Sequence, residues 1–410
     1  MNESIQPVLL GADLNCYSMA RAFFAAYGIS SVAYGQAVLG ATQHSRYIQF
    51  AEVPSLGKRD VLLACLARHK KNLAPGKRAM LIPCTDEYTR LLIEEWERLS
   101  AAYLLPVPPA SALPLLEKDA FYAVCQAQGI PYPETVAVSS MPSLSAIREA
   151  GERLGYPFII KPSSSSVDYW HHPFAGMEKV YLAHNKNEAE CVLAGIFGSG
   201  YPGKVLLQRY IAGGDSAGYV LTVYIDRHGV PRMRVCGRAL LEEHTPCGKG
   251  NYAALVTAPI PPIAEPLCRL LATVDYRGFA NFDLRQDERD GRFYVLELNP
   301  RLGRSNYFLT AGGKNPAALM VEDLAQQKQL KTEDMSKQVL FRTIPFSTVW
   351  HYTEQDEDAL LARQLHKNGQ DACPFYDKND LAANPLRALY VWEHMRRQKQ
   401  KFHHYCTRMR

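Results

Sequence analysis

Apolar and polar positions alternate most regularly between residues 277 and 305, RGFANFDLRQDERDGRFYVLELNPRLGRS. Two such runs, Phe279–Leu284 and Arg292–Leu298, flank a polar segment, Gln286–Gly291, that closes on Asp290-Gly291. That pattern predicts a β-hairpin with a longish loop. Side chains alternate across a strand, so Glu297 and Asn299 share one face while Leu296 and Leu298 turn to the other. Asp283 on the partner strand is set opposite to Phe282 and Leu284. Two carboxylates and an amide oxygen therefore meet on one surface, a set of hard oxygen ligands that suits Mg²⁺. Arg301, Arg304 and Ser305 follow directly and could hold a substrate anion. The competing reading is a solvated face with ordinary charges. Clustered carboxylates repel one another, which favours a bound cation.

The same reading organises the rest of the chain. Residues 6–34 read strand, turn, helix, strand, and 78–104 repeat the pattern, which predicts an open α/β sheet. Ligands of such sheets sit beyond the carboxyl ends of the strands, so Gly11–Tyr17 and Pro83–Tyr88 are candidate substrate turns. Asp86 in the second turn is a candidate substrate contact or a helix cap. The proline-rich 106–114 reads as a linker, and a helix carrying Lys118 runs from there to Gln128. A short strand delivers Lys161 into KPSSSSV; small hydroxyl residues (Ser163, Ser164, Ser165) suit a flap over phosphates, with Lys161 as a point charge on them. His171 and His172 lie further along this long loop and have no third ligand at metal-binding spacing. Residues 204–211 form a strand before a Gly-Gly turn, 219–240 a second hairpin, 242–252 a loop, and 264–276 a helix. Residues 335–410 read as a strand and then helices, with no assignable chemistry.

Composition narrows the class. A chain of 410 residues, 47% hydrophobic, can bury two to four packed units. No run is long and apolar enough to span a membrane and no leader is evident, which together with ten scattered cysteines predicts reduced thiols in the cytoplasm. The net charge of +5 is concentrated after Arg387. That tail reads as a surface helix with a cationic face, the alternatives being attraction to anionic lipid or to a phosphate-bearing substrate. No nucleic-acid fold signature accompanies it.

Asp283 with Glu297-Leu298-Asn299-Pro300-Arg301 resembles the metal signature of the ATP-grasp superfamily, and Lys118, Lys161 and the 204–215 segment fall in that family's order. The resemblance implies ATP and Mg²⁺ (two ions, with Mn²⁺ as an alternative) on Asp283, Glu297 and Asn299. It implies Lys118 and Lys161 on the phosphates, Gln208 with the backbone of Arg209 and Ile211 on adenine, and Asp215 on the ribose. Arg238 would face the γ-phosphate, and Arg301 and Arg238 would stabilise developing oxyanions. The implied fold is an α/β pre-ATP-grasp domain (1–110), a small lobe (115–210), a large lobe (211–330) and a C-terminal extension (331–410).

The implied reaction joins an activated carboxylate to an amine. VLLGADLNCYSMAR, LIPCTDEY and ELNPRLGRS look most like bacterial carboxylate–amine ligases of the D-aspartate ligase type. A cell-wall precursor peptide bearing phosphate is then an expected partner, and a homodimer the expected assembly. Asn281 departs from the D-alanine–D-alanine ligases, which carry arginine there. A carboxylase subunit working through carboxyphosphate, or a non-catalytic nucleotide-binding protein, would share the nucleotide motifs.

Overall fold

The computed structural model describes residues 4–163 and 167–406. The first unit is a parallel sheet of β1 (Ile5–Leu10), β2 (Ser31–Gly35), β3 (Ile48–Glu52) and β4 (Arg78–Pro83), in the order β3-β2-β1-β4. β1 is buried along nearly its whole length, as its continuous apolar run requires of a central parallel strand. β3 escaped the sequence reading because it is an edge strand with only Ile48 fully buried. The helix Leu14–Tyr27 follows β1, capped by Asp13, whose carboxylate accepts from the Cys16 amide. Gly11 precedes it at φ 141, where an added Cβ would lie 2.9 Å from Cys84 Cβ at the end of β4. The ends of β1 and β4 thus come together at one rim.

Residues 110–116, expected as part of a linker, form a 3-10 turn with Ala112 and Leu115 buried. A second, antiparallel sheet follows: β5 (Thr135–Val138), β6 (Phe158–Pro162), β7 (Tyr181–Ala183) and β8 (Val205–Arg209), ordered β5-β8-β6-β7. The helices Leu144–Leu154 and Lys186–Gly198 pack with it into one apolar cluster.

The third sheet has seven strands in the order β13-β12-β9-β10-β11-β14-β15. These are β9 (Gly218–Ile225), β10 (Pro231–Glu242), β11 (Tyr252–Ala258), β12 (Gly278–Gln286), β13 (Phe293–Asn299), β14 (Leu340–Arg342) and β15 (Asp371–Ala372). The predicted hairpin is β12–β13, with Asp283 directly opposite Glu297 and Asn281 opposite Asn299. A bulge at Leu296 advances the phase by one residue, so Val295, not Leu296, joins Phe282, Leu284 and Leu298 in the core. Each of those buried side chains contributes about 1.5–3 kcal/mol, and together they hold the two carboxylates on the opposite surface.

The segment after 330 is no appendage. β14 pairs with β11 and β15 with β14, extending this sheet. The final helix, Pro385–Tyr405, lies against the first unit. Its Arg387, one of the tail cations by sequence, is fully buried: Nη1 donates to the carbonyls of Gly40, Ala41 and Gln43, and Nε lies 3.2 Å from Asp380 Oδ2. Asp380 also accepts from Tyr17 Oη, Ser45 Oγ and the Arg46 amide. No helix among the described residues is long and apolar enough to cross a membrane.

Candidate active site

All three sheets contribute walls to one cavity of about 930 Å³. Gly11, Gly35 and the Thr85–Tyr88 turn close it on one side; Lys118, Ser163 and Lys179 on a second; Val220, Tyr252, Asp283, Glu297 and the 298–305 loop on the third. The cross-strand register explains the third wall: Asp283 lies opposite both Glu297 and Val220, so these side chains emerge on one face.

Asp283 and Glu297 are like charges held side by side. Tyr252 Oη donates to Asp283 Oδ1 at 3.2 Å, and Asn299 Nδ2 sits 3.3 Å from Asp283 Oδ2 and 3.5 Å from Glu297 Oε1. Lys118 Nζ is 3.1 Å from Glu297 Oε2 and donates to the Ser163 carbonyl at 3.2 Å. Lys118 and then Lys161 hold the Glu297 carboxyl below its usual range, while burial and then the Glu297 charge push Asp283 well above its own. The two carboxylates thus repel one another, which is the condition a divalent cation relieves. Among the described residues no cluster of three or more His, Cys, Asp and Glu side chains forms. Mg²⁺ here would complete its shell with Asn299, after a half-turn of the amide, and with substrate oxygens. The residues fit the ion.

Lys161, on β6, is pushed down to about 7 by burial and then by the positive charge of Lys118, with Lys179 a further contributor. Three lysines therefore press on one another, a repulsion that Glu297 offsets in part and that a polyphosphate would relieve further. The Ser163 amide donates to the Lys204 carbonyl, and the hydroxyl residues Ser164 and Ser165 of the expected flap lie outside the described residues. Further along, Lys179 and Glu178 meet the 242–252 loop through the Lys179 amide on the Pro246 carbonyl and a Lys249–Glu178 ion pair. His172 Nδ1 lies 3.3 Å from the Ser199 carbonyl oxygen.

Beyond the hairpin, Arg301 grips Asp86 with two contacts, 2.6 and 2.9 Å, and donates to the Leu302 carbonyl. Asp86 is not the helix cap; Thr85 is, accepting from the Tyr88 amide. Arg304 lies 3.4 Å from Glu243, and Ser305 lines the cavity. The buried Asn15 fixes this loop by donating to the Leu302 and Cys84 carbonyls, and Asn306 donates back to Asn15.

Several expected residues are placed elsewhere. Arg238 lies opposite Tyr219, which lies opposite Leu284, so it emerges on the face away from Asp283. There it forms a two-point pair with Asp358 of the helix Asp356–Lys367, at 2.8 and 2.5 Å. Gln208, Arg209, Ile211 and Asp215 do not line the cavity. Gln208 Nε2 donates to Tyr122 Oη and Thr135 Oγ1, the Arg209 amide to Glu134, and the Ile211 carbonyl accepts from Arg285. Asp215 Oδ2 accepts from the Glu242 amide and contacts His244 Nε2, both at 2.9 Å. Sequence reasoning missed Tyr252, Lys179 and Asn15. Lys179 closed a loop already read as a flap, and its charge was the available signal; the other two have no local signature.

No family model matches the chain. It is 32% identical over 418 residues to the D-aspartate ligase of Enterococcus faecium, covering 100% of this chain and 97% of that protein. It is 25% identical over 204 residues to the D-alanine–D-alanine ligase of Xylella fastidiosa, covering 48% of this chain and 62% of that one. Among solved structures, the biotin carboxylase domain of Hydrogenobacter thermophilus 2-oxoglutarate carboxylase, in complex with MgADP and bicarbonate, superposes with a TM-score of 0.59 at 14% identity, covering 82% of this chain and 73% of that one. Staphylococcus aureus N5-carboxyaminoimidazole synthetase gives 0.57 at 14% identity, covering 82% and 81%.

Proposed function

We propose, from the premise that this chain belongs to the D-aspartate ligase family of ATP-grasp carboxylate–amine ligases, that its acid is D-aspartate and its amine belongs to a cell-wall precursor peptide. The chain is an ADP-forming ligase that uses ATP and Mg²⁺. One observation carries the assignment of the site: Asp283 and Glu297 stand opposite each other in a cavity that Lys118 and Lys179 also line, with the charge of Lys161 acting on Glu297 from β6.

A carboxylate that attacks ATP must bring two anions into contact, a repulsion of about 4 kcal/mol per charge pair at an effective dielectric near 20. Lys118, Lys161 and Lys179 offset it and hold the triphosphate in line. When bound, Mg²⁺ on Asp283, Glu297 and Asn299 (two ions, or Mn²⁺ in their place) would neutralise phosphate charge. The acid's oxygen bonds to the γ-phosphorus, the bond to the bridging oxygen breaks, and ADP leaves. The amine nitrogen then bonds to the acyl carbon, gives up a proton, and phosphate departs. Three guanidinium N–H groups of Arg301 are committed to Asp86 and Leu302; the other two of its five are available to the developing oxyanion. Arg304 and Ser305 suit the second carboxylate of a dicarboxylic amino acid. In this reading Gln208, the Arg209 and Ile211 backbone and Asp215 serve adenine and ribose. Ten free cysteines suit a reducing compartment such as the cytoplasm, and we expect a homodimer.

The test is phosphate release from MgATP across a panel of D- and L-amino acids, with and without a lysine-containing peptide. Release that requires D-aspartate and the peptide together supports the proposal. Release with bicarbonate alone would assign the chain to carboxyphosphate chemistry, and binding without turnover to a nucleotide-binding role.

A further inference from the structure

The helix Pro385–Tyr405 has two unlike faces. Its inner face buries Arg387, Val391, Met395 and Phe402 against the rest of the chain. Its outer face begins with Leu386, Leu389 and Trp392, which are 53%, 59% and 62% exposed. At about 100° per residue these and Arg396 fall along one flank, and Arg397, Lys399 and Lys401 are exposed beside it. Leu39, 51% exposed, lies on the first unit next to Gly40, which accepts from Arg387 and packs against Tyr390 of this helix. Leu39 also lines the cavity, so the start of the helix lies beside the segment that borders it.

Nothing in the fold needs this outer face. The helix is already fixed by the buried Arg387, and an exposed indole flanked by leucines and cations marks a docking surface. Charge selects the occupant. A second copy would meet four cations, Arg396, Arg397, Lys399 and Lys401, with the single carboxylate Glu393, which is already bonded to both Arg396 and Arg397. An anionic lipid surface complements them, and short apolar anchors beside Lys and Arg are what such a surface holds.

The geometry points to peripheral docking on an anionic bilayer: Leu39, Leu386, Leu389 and Trp392 enter the headgroup region, Arg396, Arg397, Lys399 and Lys401 contact lipid phosphates, and the mouth of the cavity is held at the membrane. The inference does not depend on which acid or amine the enzyme takes.

The test is co-sedimentation of the full chain with vesicles of phosphatidylcholine containing phosphatidylglycerol, against vesicles of phosphatidylcholine alone, at low and high salt. The expected result is at least tenfold stronger partitioning to the anionic vesicles, weakened by salt. Leu389→Ser with Trp392→Ser should reduce it about tenfold at low salt, and neutralising Arg396, Arg397, Lys399 and Lys401 to Gln should abolish the lipid preference, with Tm unchanged in both. Equal partitioning of the unaltered chain to the two vesicle types would overturn the proposal without need of any variant. So would conversion of a dimer to a monomer by the double serine variant, which would assign the face to a second copy.

Discussion

Two of the chain's charge clusters are built on opposite plans. At the Arg387–Asp380 anchor each charge meets an opposite partner: the carboxylate also accepts from Tyr17, Ser45 and the Arg46 amide, and Arg387 Nη1 donates to three carbonyls. At the β12–β13 hairpin two carboxylates face each other, and three lysines crowd nearby. The anchor's charges are answered within the polypeptide; at the hairpin we propose a cation and a polyphosphate in addition. A buried charge that is fully answered holds a fold together, whereas one left in surplus marks where a ligand belongs.

The contrast can be broken from either side. Glu297→Gln should lower ATP-dependent phosphate release about a thousandfold or more, while Tm at neutral pH falls only modestly, through loss of the carboxylate that answers Lys118. At the anchor the reverse holds: Asp380→Asn should cost about 3–5 kcal/mol by leaving Arg387 buried without its carboxylate. Tm would drop sharply, kcat of the folded fraction would stay within about twofold, and Asp380→Asn with Arg387→Met should recover part of the loss. Between the two lies Asp86, which answers Arg301 yet lines the cavity; Asp86→Asn should lower kcat about ten- to a hundredfold with little change in KM for ATP.

The smallest effect concerns Glu242, whose carboxyl is raised from 4.5 to about 7 by burial and then by the Asp215 charge. It holds its proton in the folded chain over a range where the unfolded chain has lost it, so stability falls as pH rises from about 4.5 to 7. Glu242→Gln should therefore raise stability by about 2–3 kcal/mol above pH 7 and change nothing near pH 4, measured as Tm against pH.

Which of these features could be read in the sequence follows from their range. The hairpin was legible because a period of two and Asp-Gly are local signals, and the shared face of Glu297 and Asn299 follows from the pleat. The bulge at Leu296 was not, since it depends on how β13 meets β12. Arg238 looked like a phosphate cation, but only the pairing of β10 with β9 and β9 with β12 reveals that it emerges on the far face, against Asp358. Arg387 read as one more tail cation because its partners Gly40, Ala41 and Gln43 are nearly 350 positions away. The entry of β14 beside β11 depends on the same long-range packing. Tyr252 reaches Asp283 across an interval of 31 residues, with no motif to announce it.

The central claim is that this cavity activates a carboxylate by phosphorylating it. The most direct measurement uses D-aspartate labelled with ¹⁸O in its carboxylates, together with MgATP and the peptide amine, and reads the phosphate by mass. The predicted result is one ¹⁸O atom in each phosphate released, carried across when the acyl phosphate collapses. Phosphate free of label, formed at the rate of peptide ligation, would contradict it.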